Sequence, residues 1–132
     1  MSKLLIEEPP LQVLPSLACL LGLNEALVLQ QLHFRLLYSL YERKGPDGLL
    51  RRRVGYTLEQ WRVEFPWWKN KKTIQRAFER LIEQGLVTTH QFGKARGDRT
   101  NYYTIDYDAF DAFTQAQLDN LSPCPSPQIV LL

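Results

Sequence analysis

Residues 57–101 read TLEQWRVEFPWWKNKKTIQRAFERLIEQGLVTTHQFGKARGDRTN, and this stretch decides the fold. Within it, apolar residues recur with the 3.6-residue period of a helix at Ile74, Ala77, Phe78, Leu81 and Ile82. We expect a helix over 71–84 that is capped by Asn70 and ended by Gly85. Its polar face begins with cations, and each cation near a helix N-terminus lowers the stability of the helix by about 0.3–1 kcal/mol. A nearby polyanion offsets that cost, so the pattern is typical of a surface that meets an anion.

The residues on either side of this helix predict a helical corner before it and a hairpin after it. Thr57 and Gln60 form a capping box for a short helix that Pro66 ends. We interpret the aromatic residues Trp61, Phe65 and Trp67 as core residues. The alternative is that one tryptophan at the corner lies against a sugar–phosphate chain. After Gly85, the segments LVTTHQF and TNYYTIDY predict two strands joined by the loop GKARGDR.

The N-terminal part of the chain predicts two further helices after an extended arm, residues 1–13. A short helix over 16–21 ends at Gly22 and includes Cys19, which we expect in the core. Asn24 is the expected N-cap of a long helix that runs to Tyr41. This helix is too apolar for an ordinary surface helix, so it is either the central core helix or also a dimer seam. The stripe in question is Val28, Leu32 and Leu36.

The segments that remain are a turn, a short strand and a C-terminal region. KGPDG, residues 44–48, predicts a turn, and LLRRRVGY after it predicts a strand. From Asp108, the sequence predicts an amphipathic helix whose inward residues are Phe110, Phe113 and Leu118. A Pro/Ser-rich linker and the apolar residues IVLL follow. The IVLL tail is interpreted as a docking peptide, a strand that completes the fold, or a remnant without a role.

Positive charge is concentrated in the middle of the 132 residues. Residues 43–99 hold 14 of the 16 lysines and arginines against six acidic residues, whereas the rest of the chain holds two against eight. A basic segment between acidic flanks predicts a local surface for a polyanion. No apolar run approaches the about 18 residues of a membrane span, and no signal peptide begins the chain, so we expect a cytoplasmic protein.

The sequence carries none of the patterns that indicate an enzyme or a cofactor. Two histidines and two cysteines in unlike settings make no zinc set. The acidic residues lack metal-binding spacing, and GKARGDR lacks the lysine–serine/threonine pair of a P-loop. We therefore expect no catalysis, no metal, no cofactor and no small-molecule substrate.

The predicted fold class is α+β, mainly α. A helix-turn-helix followed by a two-stranded β-hairpin is a winged helix, here with an N-terminal helical extension. We expect an arm at residues 1–13, a winged-helix domain at residues 14–107, and a C-terminal helix with its tail at residues 108–132.

The segments VLPSLACLLGLNEALVLQQLHFRL, YTLEQWRVEFPWWKNKKTIQRAFERLIEQGLV and GDRTNYYTIDY resemble replication-initiation proteins of bacterial phages and mobile elements. These proteins carry a winged helix similar to the N-terminal domain of DnaD-like replisome organisers. The resemblance spans about residues 4–107. It implies binding to double-stranded DNA in replication initiation, association with the nucleoid, and a replisome protein as a partner, which we expect at the C-terminal tail.

A winged helix places the second helix of its helix-turn-helix in the major groove. The residues there that we expect to contact DNA are Lys69, Lys71, Lys72, Thr73, Gln75, Arg76 and Arg80. Of these, Lys72, Gln75 and Arg76 are the expected readers of base edges. Lys69, Lys71 and Arg80 are expected on phosphates, and Thr73 on a phosphate or a thymine methyl.

Two other clusters extend the predicted footprint. The wing contributes Lys94, Arg96, Arg99 and Asn101, with Gly93 and Gly97 permitting close approach to the backbone or a minor groove. The second cluster is the basic run Arg51, Arg52 and Arg53. Two hypotheses compete with replication initiation: a transcriptional regulator of a phage or mobile element, which is usually a homodimer on a palindrome, and a protein-interaction winged helix without DNA affinity.

Overall fold

The computed structural model describes residues 11–46, 48–91 and 100–119, with side chains described as far as residue 116. This part of the chain is α+β and mainly helical, with five helices and two small antiparallel sheets. In chain order the elements are α1 (Pro15–Leu21), α2 (Leu23–Leu37), β1 (Glu42–Lys44), β2 (Leu50–Arg52), β3 (Val54–Tyr56), α3 (Leu58–Glu64), α4 (Lys71–Glu83), β4 (Val87–His90), β5 (Asn101–Ile105) and α5 (Tyr107–Asp119). Most of the predicted arm, the wing tip at residues 92–99 and the IVLL tail lie outside the described residues.

The ends of α3 and α4 are set by the residues that the sequence predicts. Thr57 Oγ1 accepts a hydrogen bond from the Gln60 N–H at 3.2 Å, and Gln60 Oε1 accepts one from the Thr57 N–H at 2.8 Å. Asn70 Oδ1 accepts from the Lys72 N–H at 2.9 Å. Gly85 follows α4 with a φ of 77°, a conformation that suits glycine. The capping box, the N-cap and the helix end are therefore confirmed.

The core lies between α2, the α3–α4 pair and the three-stranded sheet. Trp61 and Phe65 are fully buried, as predicted, and the Trp61 ring lies 5.3 Å from Phe78 and 5.6 Å from Tyr103, centroid to centroid. Phe110 and Phe113 of α5 pack against this core, as expected. The core positions expected for three residues are wrong, because Cys19, Trp67 and Ile82 are exposed.

The apolar stripe of α2 belongs to the core of a single chain. Val28, Leu32 and Leu36 are all buried. The hypothesis that these three side chains form a dimer seam is therefore wrong, since the chain already covers the surface that a second copy would need.

Helix α2 begins earlier and ends earlier than predicted. Gly22 takes the N-cap position with a φ of 100°, and Asn24 lies inside the helix. The helix ends at Leu37 because the residues after it bond to the segment near Arg53. Ser39 Oγ donates to the Arg53 carbonyl at 2.7 Å, and the Arg53 N–H donates to the Tyr41 carbonyl at 2.9 Å. These long-range bonds replace the last turn of the predicted helix.

The second sheet contains three strands in the order β3–β5–β4, all antiparallel. Val54 lies opposite Tyr103, and Val87 lies opposite Ile105. The predicted two-stranded hairpin of β4 and β5 is therefore extended by β3, which precedes the helix pair. The order α2–β3–α3–α4–β4–β5 is compatible with a winged-helix-like fold.

The predicted strand over residues 49–56 is two strands that separate at Arg53. The first of them, β2, pairs with β1, a strand that the sequence did not predict. Between β1 and β2, the Gly48 N–H donates to the Gly45 carbonyl at 2.9 Å, which confirms the turn.

Gly55 in β3 leaves space for an aromatic side chain of the neighbouring strand. A Cβ atom at Gly55 would lie 2.4 Å from Cε1 of Tyr102, its partner on β5. The Tyr102 ring instead lies over the glycine and stacks on Tyr41, with 4.9 Å between centroids and an interplanar angle of 22°. The stack of Tyr102 on Tyr41 links the sheet to the segment after α2, and it depends on the space that Gly55 leaves for the ring.

Candidate nucleic-acid interface

Three cations just before and within the first half of α4 have no partner among the described residues. Lys69, Lys72 and Arg76 are exposed, and none of them has a hydrogen-bond or ion-pair partner within the described ranges. The first turn of α4 holds no acidic residue. Peptide dipoles also make this end positive, so the helix start combines side-chain and backbone charge of one sign.

Three other predicted contacts on α4 are arranged differently. Gln75 Nε2 donates to Glu79 Oε1 at 3.2 Å on the polar face of the helix. Thr73 is half-buried, and its backbone N–H bonds to the Asn70 carbonyl. Lys71 Nζ lies 3.3 Å from Glu59 Oε1 on α3, so it is exposed but paired.

Glu59 connects the N-termini of the two helices. Its second carboxylate oxygen, Oε2, lies 3.3 Å from Arg62 Nη1 on the same helix. Because Glu59 is in the first turn of α3 and Lys71 is the first residue of α4, the pair holds both helix starts side by side. The N-terminal ends of α3 and α4, which peptide dipoles make positive, are therefore linked through this carboxylate.

Arg80, the last predicted contact on α4, lies 2.7 Å from the carboxylate of Glu25 in α2. Gly22 leaves room for this carboxylate, since a Cβ atom there would lie 2.6 Å from Glu25 Oε2. The guanidinium is therefore bonded to the body of the domain, although most of its surface remains exposed.

Sequence reasoning missed Glu64, the last residue of α3. Its largely buried carboxylate forms an ion pair with Arg35 and accepts hydrogen bonds from Gln31 Nε2 at 2.7 Å and Tyr56 OH at 3.2 Å. The hydrogen bond to Glu64 raises the pKa of Arg35, and burial, followed by the charge of Glu64, raises the pKa of Tyr56. These contacts join α3 to α2 and β3 and so fix the orientation of the helix pair. These contacts could not be predicted from neighbouring residues in the sequence, since Gln31 lies 33 residues before Glu64.

The basic run at residues 51–53 does not form one surface cluster. Arg53 is only 3% exposed, and its Nε donates to the Arg43 carbonyl at 3.1 Å. The expectation that Arg53 contacts DNA is therefore wrong. Arg52 is exposed and lies 3.6 Å from Glu42, and Arg51 is half-buried.

The predicted wing contacts Lys94, Arg96 and Arg99 lie outside the described residues. Asn101, the fourth wing contact, is the first residue of β5 and is half-buried, with Nδ2 3.5 Å from Tyr103 OH. It pairs in register with Tyr56 at the end of β3, directly before α3. The base of the wing is thus next to the start of the helix pair.

The described residues hold no group of three or more histidine, cysteine, aspartate or glutamate side chains that could bind a metal ion. Within the same ranges, none of the helices has the length and apolar character needed to cross a membrane. Comparisons with protein-family models, curated proteins and solved structures found no match.

Proposed function

We propose that this chain is a winged-helix protein that binds double-stranded DNA, with α4 in the major groove. The observation that carries the proposal is the exposed, cationic first half of α4. Lys72, a cation in the first turn without a partner among the described residues, destabilises an isolated helix by about 0.3–1 kcal/mol. A phosphate backbone beside this end of the helix offsets the cost.

The contacts within the chain distinguish the roles of the residues on α4. Lys72 and Arg76 have no partner among the described residues, so they are available to bases, together with Gln75. Gln75 exchanges its bond to Glu79 for a bidentate contact to adenine, and Arg76 makes one to guanine. Lys69 and Lys71 bind phosphates, and Arg80 does so while it stays bonded to Glu25.

We propose replication initiation in a phage or mobile element as the role of this DNA binding, which rests on the sequence resemblance described above. A transcriptional regulator with the same helix is the alternative, and the two differ in the DNA site that they recognise. If the protein is a homodimer, its seam lies elsewhere than the buried stripe of α2.

An exposed apolar group favours a second candidate, a protein-interaction winged helix. The end of α2 and the residues after it expose Phe34, Leu37, Tyr38 and Leu40. Apolar side chains grouped in this way are typical of a surface that meets another protein. This candidate predicts binding to a protein and no DNA affinity at low salt.

Fluorescence anisotropy of labelled duplex DNA at several salt concentrations tests the proposal. With about six phosphate contacts, affinity should fall by about a thousandfold between about 50 and about 200 mM salt. Lys72→Ala and Arg76→Ala should weaken binding, whereas Lys44→Ala, which removes the same charge from β1, should not. Absence of binding at low salt, or binding that is indifferent to salt, would overturn the proposal.

A further inference from the structure

Trp67 stands apart from the other aromatic residues of the helical corner. Its neighbours in this cluster are covered: Trp61 and Phe65 are fully buried, and Trp68 is half-buried against the core. Trp67, by contrast, is 49% exposed. The other aromatic residues of the corner are thus covered by the core, whereas the indole of Trp67 remains at the surface.

Two aromatic rings pack against Trp67 without stacking on it. The centroid of Phe65 lies 5.7 Å away with an interplanar angle of 71°, and that of Trp68 lies 5.3 Å away at 60°. Both angles are far from parallel, so within the described residues no aromatic ring stacks on Trp67. A ring that neighbouring rings hold in place loses little conformational entropy when a flat partner stacks on it.

The charges that follow this ring in the sequence indicate the kind of partner. Trp67 precedes the cationic start of α4, with exposed Lys69 two residues later and Lys71 and Lys72 in the first turn. An exposed aromatic ring that several lysines follow in the chain suits a nucleotide, because the base stacks while the phosphate meets the cations. A hydrophobic protein surface would leave those charges without partners.

We propose that Trp67 stacks on an unpaired base of the bound DNA, so that the protein prefers duplexes with a local opening. In a fully paired duplex, the faces of each base are covered by its neighbours. A base becomes available to Trp67 only where the duplex is bulged, mismatched or open. This inference rests on the proposed function, and it specifies the form of DNA that the α4 surface binds.

The experiment compares two labelled DNAs of the same sequence, one fully paired and one with a short unpaired patch. Anisotropy titrations use the wild type, Trp67→Ala, Trp67→Phe and Tyr38→Ala, the last of which removes an exposed aromatic ring from another element. Trp67→Ala should weaken binding to the open duplex by about five- to a hundredfold, the range for loss of one base–aromatic stack. Trp67→Phe should retain most of the affinity, and Tyr38→Ala all of it. Tryptophan emission should be quenched on binding in the wild type and not in Trp67→Phe.

Two results would overturn the inference while the proposed function stands, and a third would overturn both. If Trp67→Ala binds both DNAs like the wild type while Arg76→Ala binds weakly, the protein binds DNA without Trp67. If Trp67→Ala weakens binding to both DNAs equally, the ring meets the backbone and not an unpaired base. If the wild type binds neither DNA at low salt, the proposed function fails and this inference fails with it.

Discussion

Arg80 on α4 places its Nη1 atom 2.7 Å from Oε1 of Glu25 on α2. The side chain of Glu25 is 5% exposed and that of Arg80 is 69% exposed, so a surface cation neutralises an interior carboxylate. Because α2 and α4 pack together in the core, this pair fixes the angle at which the proposed recognition helix leaves the domain. The cation contributes to the position of α4 before any ligand is bound.

Arg80→Ala should lower the free energy of unfolding by about 1–3 kcal/mol, because it leaves a buried carboxylate without its partner. Water that reaches the exposed side of the pair keeps this cost below the about 3–5 kcal/mol of a fully buried ion pair. Urea unfolding followed by circular dichroism measures the change. Arg76→Ala is the matched control and should stay within about 0.5 kcal/mol of the wild type. Equal losses in the two variants would contradict a special role for the Glu25–Arg80 pair.

Glu59→Gln should tighten DNA binding and weaken folding at the same time. The change removes a negative charge 3.3 Å from Lys71 at the start of α4. Exposed charge interactions of about 0.2–1 kcal/mol predict an affinity gain of about 1.4- to fivefold in anisotropy titrations. Loss of an acidic residue from the first turn of α3 should cost about 0.3–1 kcal/mol of stability in urea. Glu83→Gln, at the other end of α4, should leave the affinity unchanged, and a gain of the same size there would indicate a general charge effect.

The stability of the fold should decline in alkaline solution. Burial raises the pKa of Tyr103 and of Tyr107, and burial together with the charge of Glu64 raises the pKa of Tyr56. The folded state therefore holds these protons at a pH where the unfolded state has released them. The resulting stability is fully present below the ordinary tyrosine pKa of about 10 and is lost as pH rises through the folded values. Urea unfolding at a series of alkaline pH values measures the decline, and Tyr103→Phe should make it shallower. An unchanged slope in that variant would contradict the role of Tyr103.

Gly55→Ala should destabilise the sheet by about 1–3 kcal/mol, the usual cost of overpacking. The added methyl group would meet the Tyr102 ring at 2.4 Å, so the ring would have to leave its stack on Tyr41. A double-mutant cycle with Tyr102→Ala checks the cause, since the cost of Gly55→Ala should become much smaller when the ring is absent. A cost that is the same in both backgrounds would show that backbone conformation, and not the ring, requires glycine.

Features that depend on residues a few positions apart could be predicted from the sequence. The Thr57–Gln60 capping box, the Asn70 cap and the glycine that ends α4 each involve groups within four residues of one another. The apolar period of α4 also predicted the buried face up to Leu81, and it failed only at Ile82 in the last turn. In these segments, local chemistry and the packed fold favour the same conformation.

Features that depend on distant partners could not be predicted. The residues up to Tyr41 suit a helix locally, but bonds to the Arg53 backbone end the helix at Leu37. The basic neighbours of Arg53 in the sequence predict a surface cation, yet the segment that holds Arg43 covers its side chain. Likewise, no periodicity indicates that the carboxylate of Glu25 meets Arg80, 55 positions later.

The position of β5 between β3 and β4 has a consequence for the order in which the protein is assembled. Neither β3 nor β4 pairs with the other, and each finds its only strand partner among the described residues in β5. During synthesis, the helix pair and both outer strands leave the ribosome before this partner does. The three-stranded sheet can therefore close only after Ile105 has emerged, when residues as far apart as Val54 and Tyr103 meet. Until then the surface proposed to hold DNA has no completed sheet behind it.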